Sequence, residues 1–380
     1  MIYLDNNATT RPSPEVLDAV AVALDGAYGN PSSSHAAGRA AKSIVAEARE
    51  SVAGLLGAAY VSEIVFTSGG TESDNWAILG ALRASPEKQH LVTTRVEHEA
   101  VRILARRLEA EGYQVTWVDV DNNGSLDIEA FTSAILPDTA VVSAMLANNE
   151  TGVLFPVDRL AEIVKERSDA LFHVDGVNAV GKIPINLGET AIDLFSISAH
   201  KFHGPKGVGA LYVRSGVTLS NIFSGGGQET GRRAGTEPVH QIAGMGTAAK
   251  MVSEMGPIKR VSALRDRLEN GILNKIPNSR LNGTSDSPKR LPNTSNVSFE
   301  NTNGEMIMAR LDDHGVCVST GSACNSGSHA ASAVLQAMNI PYSWAMGSIR
   351  FSLGRYNTAE EVDRVLAILP AIVADLRALS

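Results

Sequence analysis

The chain has 380 residues, 44% of them apolar and 19% charged, with a formal net charge of −8; this is the composition of a folded globular protein with room for two units. That acidic balance, without a run of Lys or Arg, argues against nucleic acid or an anionic membrane as partner. No apolar run approaches the ~20 residues that span a bilayer, the opening residues lack a secretion signal, and two cysteines cannot build a disulfide framework, so a cytoplasmic setting is expected.

From about residue 58 to residue 214, short β-rich runs alternate with helix-length segments. Strands are predicted at Glu63–Thr67, Leu91–Arg95, Gln114–Val118, Ala140–Leu146, Ala170–Val174, Asp193–Ser198 and Val208–Arg214. Helices are predicted at Thr71–Arg83, Ala100–Glu111 and Val157–Arg167. This alternation predicts an α/β domain around a mostly parallel sheet, with ligands at the carboxyl ends of its strands.

The turns between those elements carry the chemistry. Thr67-Ser68-Gly69-Gly70-Thr71-Glu72-Ser73 joins a strand to a helix, where exposed N–H groups and the helix dipole favour a phosphate. Ser68 or Thr71 acting as an ordinary N-cap explains the same residues. His98, ending the next strand, can lie flat on a ring and move protons near neutral pH. Asn148-Asn149-Glu150-Thr151-Gly152 reads as an Asn-rich turn, or as a substrate-facing amide if neighbouring turns converge on it. Asp175 and Lys201 follow two further apolar runs. An amine and an acid on neighbouring strand ends suit an aldehyde cofactor: the amine gives a covalent link, and the carboxylate keeps a ring nitrogen protonated. Ser198 and His200, flanking the lysine, can donate to the same phosphate. Farther on, Gly225–Thr236 is glycine-rich but matches no dinucleotide fingerprint, and its Arg232-Arg233 pair suggests an anion or a subunit contact.

After Gly256-Pro257 the texture changes to α+β. A helix is predicted at Lys259–Ile276, then a turn-rich stretch from Pro277 to Asn296, a strand at Val297–Glu300, a helix at Gly304–Asp313, strands at Val316–Ser319 and Ser348–Leu353, and a last helix at Ala359–Leu379. Cys317 falls in an apolar strand and is expected in the core. Cys324 sits among Ser, Thr, Gly and Asn from Ser319 to Ser328, with Ala323 as the exception. A thiol on such a polar loop suits an accessible nucleophile. Arg350 can fork onto a substrate carboxylate. The expected division is a large domain at 15–256 and a small one formed by 1–14 and 257–380, carrying a cysteine loop at about 321–332.

In sequence order, the chain resembles the cysteine desulfurases of the class V aminotransferase group, NifS/IscS type. The matching motifs are Tyr3–Thr10, Gly29-Asn30-Pro31-Ser32-Ser33, the Thr71 turn, Val96-Glu97-His98, Asn148–Gly152, the Lys201 segment, Gly231–Thr236 and Gly321-Ser322-Ala323-Cys324. The resemblance implies the fold type I of pyridoxal-phosphate enzymes, with a mostly parallel seven-stranded sheet and a smaller α+β domain. It implies pyridoxal 5′-phosphate as cofactor, L-cysteine as substrate, alanine as product, a homodimer, and a sulfur-acceptor or iron–sulfur scaffold protein as partner. No metal site is expected. Lys201 would hold the cofactor covalently, Asp175 would face its ring nitrogen, and His98 would stack on the ring. Gly70, Thr71, Ser198 and His200 would hold the phosphate, helped by Thr236 from the other subunit. Asn149 and Arg350 would bind the substrate carboxylate, and Cys324 would take the sulfur. The family pattern Asp-Ala-Val-Gln appears here as Asp175-Gly176-Val177-Asn178, so Asn178 stands where a longer Gln normally meets the ring oxygen. The stretch Ser328-His329-Ala330-Ala331-Ser332 also departs from the family's Leu-Glu-Pro-Ser pattern. A selenocysteine lyase or other class V enzyme, and a scaffold with an empty cofactor pocket, are the rival readings.

Overall fold

The computed structural model describes residues 1–320 and 331–378. Twelve strands are seen among them: β1 (Ile2–Tyr3), β2 (Ile64–Thr67), β3 (His90–Thr94), β4 (Gln114–Val118), β5 (Thr139–Met145), β6 (Leu171–Asp175), β7 (Leu194–Ser198), β8 (Gly209–Val213), β9 (Ser279–Asn282), β10 (Thr294–Phe299), β11 (Val316–Cys317) and β12 (Ser348–Ser352). Seven form one sheet in the order β2-β8-β7-β6-β5-β3-β4. Only β8 runs antiparallel to its neighbours in that sheet. Every residue of β5 is buried, as a strand covered on both faces requires. The chain progresses in opposite directions from β3 and β5, so their junction is the switch point where such sheets bind ligands.

Helices pack both faces of this sheet. Ala36–Leu56 presents Ala41, Val45, Ala48, Val52 and Leu56 at helical spacing and ends at Gly57, whose φ is 59°, the left-handed geometry glycine accepts at a helix end. It lies close against Val239–Ser253; a Cβ on Gly246 would come within 2.6 Å of the Ala48 Cα. The sequence reading did not mark either helix, nor Pro14–Gly26.

The C-terminal part builds a second core, in which Leu4 joins Leu268, Val297, Ile349, Phe351 and Leu369. Its sheet is antiparallel in the order β12-β10-β9. β1 pairs with β11 in parallel, so the opening residues sit among the closing ones. The stretch read as turns from Pro277 to Asn296 contains β9 and the start of β10. Ser279–Asn282 has few β-favouring residues, and pairing with β10 decides its conformation rather than intrinsic preference. Cys317 is partly exposed instead of core, because β11 is a two-residue strand with one neighbour. No helix among the described residues is long and apolar enough to cross a membrane.

Candidate active site

A cavity of about 540 Å³ opens where the parallel strands end. Its lining includes Gly70 and Thr71 after β2, His98 after β3, Asn149 after β5, Asp175 and Asn178 at and after β6, Ser198, His200 and Lys201 after β7, and Arg350 from β12. The turns proposed separately from sequence therefore converge. Thr236 does not line it and lies exposed. Cys324 lies outside the described residues, yet both flanks of its stretch reach the site. Ser319 pairs with the Arg350 backbone, and Ala331 and Ser332 line the cavity.

Lys201 follows β7 in a short 3-10 turn and donates from Nζ to the main-chain oxygen of Asn7 at 2.5 Å. Asp175 ends β6 at 6% exposure, and its Oδ1 accepts the Val177 N–H at 2.9 Å. Burial raises its carboxyl above the usual range, Asp74 adds to that rise, and His98 opposes it. A protonated ring nitrogen in the cavity would offset this cost and hold the carboxylate charged. His98 caps the helix Glu99–Ala110, its Nδ1 accepting the Ala100 N–H at 3.2 Å. Burial lowers its proton affinity, and Asp175 works against that. With Nδ1 accepting, the neutral form of the ring carries its proton on Nε2.

The helix Gly70–Ala84 begins without a side-chain cap, so neither Ser68 nor Thr71 acts as the N-cap. Glu72 instead turns back to accept from the Ser68 N–H at 2.8 Å. The uncapped first turn faces the cavity, and a Cβ on Gly70 would meet Val177 Cγ2 at 2.8 Å. Uncapped N–H groups on a helix of fifteen residues, with Ser198 and His200 alongside, fit a phosphate. His200 is pushed down to about 4, by burial first and then by Lys201, so it serves as a neutral donor or acceptor. Arg233 does not add to this cradle: it forks onto Glu72 at 2.8 and 3.0 Å, while Arg232 reaches the Ser62 carbonyl.

Across the cavity, Arg350 is 4% exposed. It donates to Asp5 Oδ1 at 2.7 Å and to the Asn149 carbonyl at 3.0 Å, and its Nε is buried with no partner. That orphaned donor suits an incoming carboxylate. The two asparagines divide the roles left open between them. Asn148 caps its turn through Oδ1, accepting from Glu150 N and Thr151 N, whereas Asn149 lines the cavity.

Sequence reasoning missed several groups here. Asn7 holds both Lys201 and Lys182, through its main-chain and side-chain oxygens. Asp74 and Glu150 are buried acids raised to about 7, mainly by burial, and Glu97 is raised to about 8 for the same reason. No local signal marks Asp74: it stands in a polar run, Thr71 to Asn75, and its burial comes from the fold. Among the described residues no cluster of His, Cys, Asp or Glu is placed to hold a metal.

Comparison with known proteins places the chain in a family. The aminotransferase class-V family model matches residues 2–365. A cysteine desulfurase of Trichormus azollae is 52% identical over all of this chain and 94% of its own length. The cysteine desulfurase NifS of Azotobacter vinelandii is 48% identical, again over all of this chain and 94% of its own. A solved NifS-like protein superposes with a TM-score of 0.92 at 39% identity, over 99% of this chain and all of its own. The structure of SspA in complex with cysteine superposes with a TM-score of 0.82 at 33% identity, over 94% of this chain and all of its own. The chain thus belongs to the class-V aminotransferase family and, within it, to the cysteine desulfurases.

Proposed function

We propose that this chain uses pyridoxal 5′-phosphate to convert L-cysteine to L-alanine, passing the sulfur to Cys324 as a persulfide for an iron–sulfur scaffold or another acceptor. The observation that carries this reading is the convergence of Lys201, Asp175, His98 and Arg350 on one cavity. Its volume is ample for a cofactor and an amino acid together.

The bound cofactor supplies an electron sink conjugated to the substrate's α-carbon. The residues do the rest. Lys201 would hold the cofactor through Nζ, and the same Nζ would carry the α-proton of the substrate. Asp175 would face the ring nitrogen and keep it protonated. His98 would cover the ring, its Nδ1 being engaged by the Ala100 N–H. Arg350, fixed by Asp5 and the Asn149 carbonyl, fixes the substrate carboxylate. The Cys324 thiolate attacks the substrate sulfur: the Cβ–S bond breaks, an S–S bond forms, and the electron pair left on carbon takes a proton to give alanine. Cysteine plus a thiol becomes alanine plus a persulfide, with no external oxidant.

Thr236, exposed and outside its own chain's cavity, fits a contribution to a partner subunit. Leu17 and Leu24, seven residues apart on the helix Pro14–Gly26 and both exposed, are consistent with such a homodimer. The deciding experiment incubates the purified protein with L-cysteine and follows alanine and protein-bound persulfide together. Lys201→Ala should abolish the visible band, and Cys324→Ala should keep the band but lose persulfide and sulfide. A colourless protein that forms no alanine would favour the scaffold reading instead.

A further inference from the structure

Lys182 is a buried amine to which the reaction above gives no task. Four residues beyond Asn178, it is 7% exposed, and its Nζ donates to Asn178 Oδ1 at 3.2 Å and to Asn7 Oδ1 at 3.0 Å. The groups acting on it bring no compensating acid: burial, then Lys201, then Arg350, all push its proton affinity well below the ordinary lysine range. His203 and Arg355 line the small cavity behind it, and His200 also feels its charge. A buried amine among cations is costly to keep, and here it is spent on two amide oxygens.

Because the amine donates to the amide, it fixes the oxygen as the end turned toward Lys182. The Nδ2 end of Asn178 then lies away from Lys182, and Asn178 lines the main cavity. Lys182 is the one side-chain partner of that amide among the described residues.

We propose that Lys182 is a positioning residue: by anchoring the Asn178 oxygen, it presents the N–H end of this short amide to the cofactor's ring oxygen. The proposal rests on the pyridoxal-phosphate reading, which supplies that acceptor. An unanchored amide would spread over several rotamers and lose part of the bond to disorder. A fixed donor favours negative charge on the ring oxygen, and so lowers the proton affinity of the neighbouring nitrogen that joins Lys201 to the cofactor.

The test is a pH titration of the visible absorption band of the holoenzyme. In Lys182→Met the midpoint should rise by about half a pH unit or more, roughly a threefold gain in proton affinity. Lys182→Gln, which keeps a donor, should bring it most of the way back. In an Asn178→Ala background, Lys182→Met should add little further rise, because both changes remove one interaction. A native midpoint in Lys182→Met, or an undiminished rise in the Asn178→Ala background, overturns the proposal. If Lys182→Met does not fold, a raised midpoint in Asn178→Ala with a near-native Lys182→Gln supports it, and a native midpoint in Asn178→Ala, or equal shifts in both, overturns it. A colourless native protein would overturn the cofactor reading itself, which keeps the two failures apart.

Discussion

Lys201 Nζ reaches the main-chain oxygen of Asn7 across 2.5 Å, while Lys182 Nζ reaches the side-chain oxygen of the same residue across 3.0 Å. Asn7 also donates from Nδ2 to the Asn149 carbonyl and to Thr294 Oγ1, and accepts from Asn293. One side chain near the start of the chain therefore ties the large sheet's strand ends to the closing sheet. Asn7→Ala deletes those side-chain bonds but keeps the backbone acceptor for Lys201. Unpaired buried groups cost about 1–3 kcal/mol each where water cannot replace the partner. We expect a loss of about 3 kcal/mol in urea unfolding; a loss under about 1 kcal/mol would mean that water substitutes for the amide.

Gly176 and Phe195 explain each other. A Cβ on Gly176 would lie 2.0 Å from Phe195 Cζ, so nothing larger than glycine fits beside this ring, which is fully buried. Packing against Phe195 thus leaves no room for an alanine at this position. Gly176→Ala should cost about 2–3 kcal/mol through overpacking. Adding Phe195→Leu should recover much of that loss, because the second change makes room for the first. Denaturation midpoints of the two single variants and the double variant decide it, and strictly additive losses would refute the pairing.

The large sheet was legible because its strands are fully covered: apolar runs such as Ala140–Leu146 announce themselves, and β5 differs from the prediction by one residue at each end. The site was legible for a related reason, since Lys201, Asp175 and His98 follow such runs directly. Lys182 and Asn7 gave no local signal. Their role comes from contacts between residues 175 positions apart, which no window along the chain can show. Asp74 faces the cavity from a helix whose sequence looks ordinary, and only the fold reveals that it is fully buried. β9 escaped because its pairing with β10, not its composition, makes it a strand.

Arg350 offers a test of substrate geometry. Two of its nitrogens are committed to Asp5 and the Asn149 carbonyl, and its Nε has no partner. Lysine keeps the charge but loses the planar fork. Arg350→Lys should therefore raise the KM for L-cysteine about tenfold or more, equivalent to roughly 1.4 kcal/mol of binding, with a smaller change in kcat. Steady-state alanine release measures both constants. An unchanged KM would remove Arg350 from the carboxylate site.

Glu97 should make stability fall as pH rises. Its Oε1 accepts from Thr94 Oγ1 at 2.7 Å and from Met145 N at 3.0 Å, while Oε2 is buried with no partner. Burial, with added repulsion from Asp175 and Asp74, pushes the carboxyl up to about 8, from 4.5 for an unperturbed group. The folded state thus keeps a proton that the unfolded chain releases. The stabilisation is complete below pH 4.5 and is lost as pH climbs through about 8. Glu97→Gln preserves the acceptor for Thr94 and Met145 and cannot ionise. Relative to the native protein, the variant should gain about 1–2 kcal/mol between pH 5 and pH 8 in urea unfolding. His173, lowered to about 4 chiefly by burial, acts with the opposite sign: it weakens the fold as pH drops from 6.5 toward 4. The Gln variant should leave that acid limb untouched and lessen the fall at higher pH, to which Asp74 and Glu150 also contribute; parallel curves for the two proteins across both limbs would show that Glu97 is already ionised in the fold.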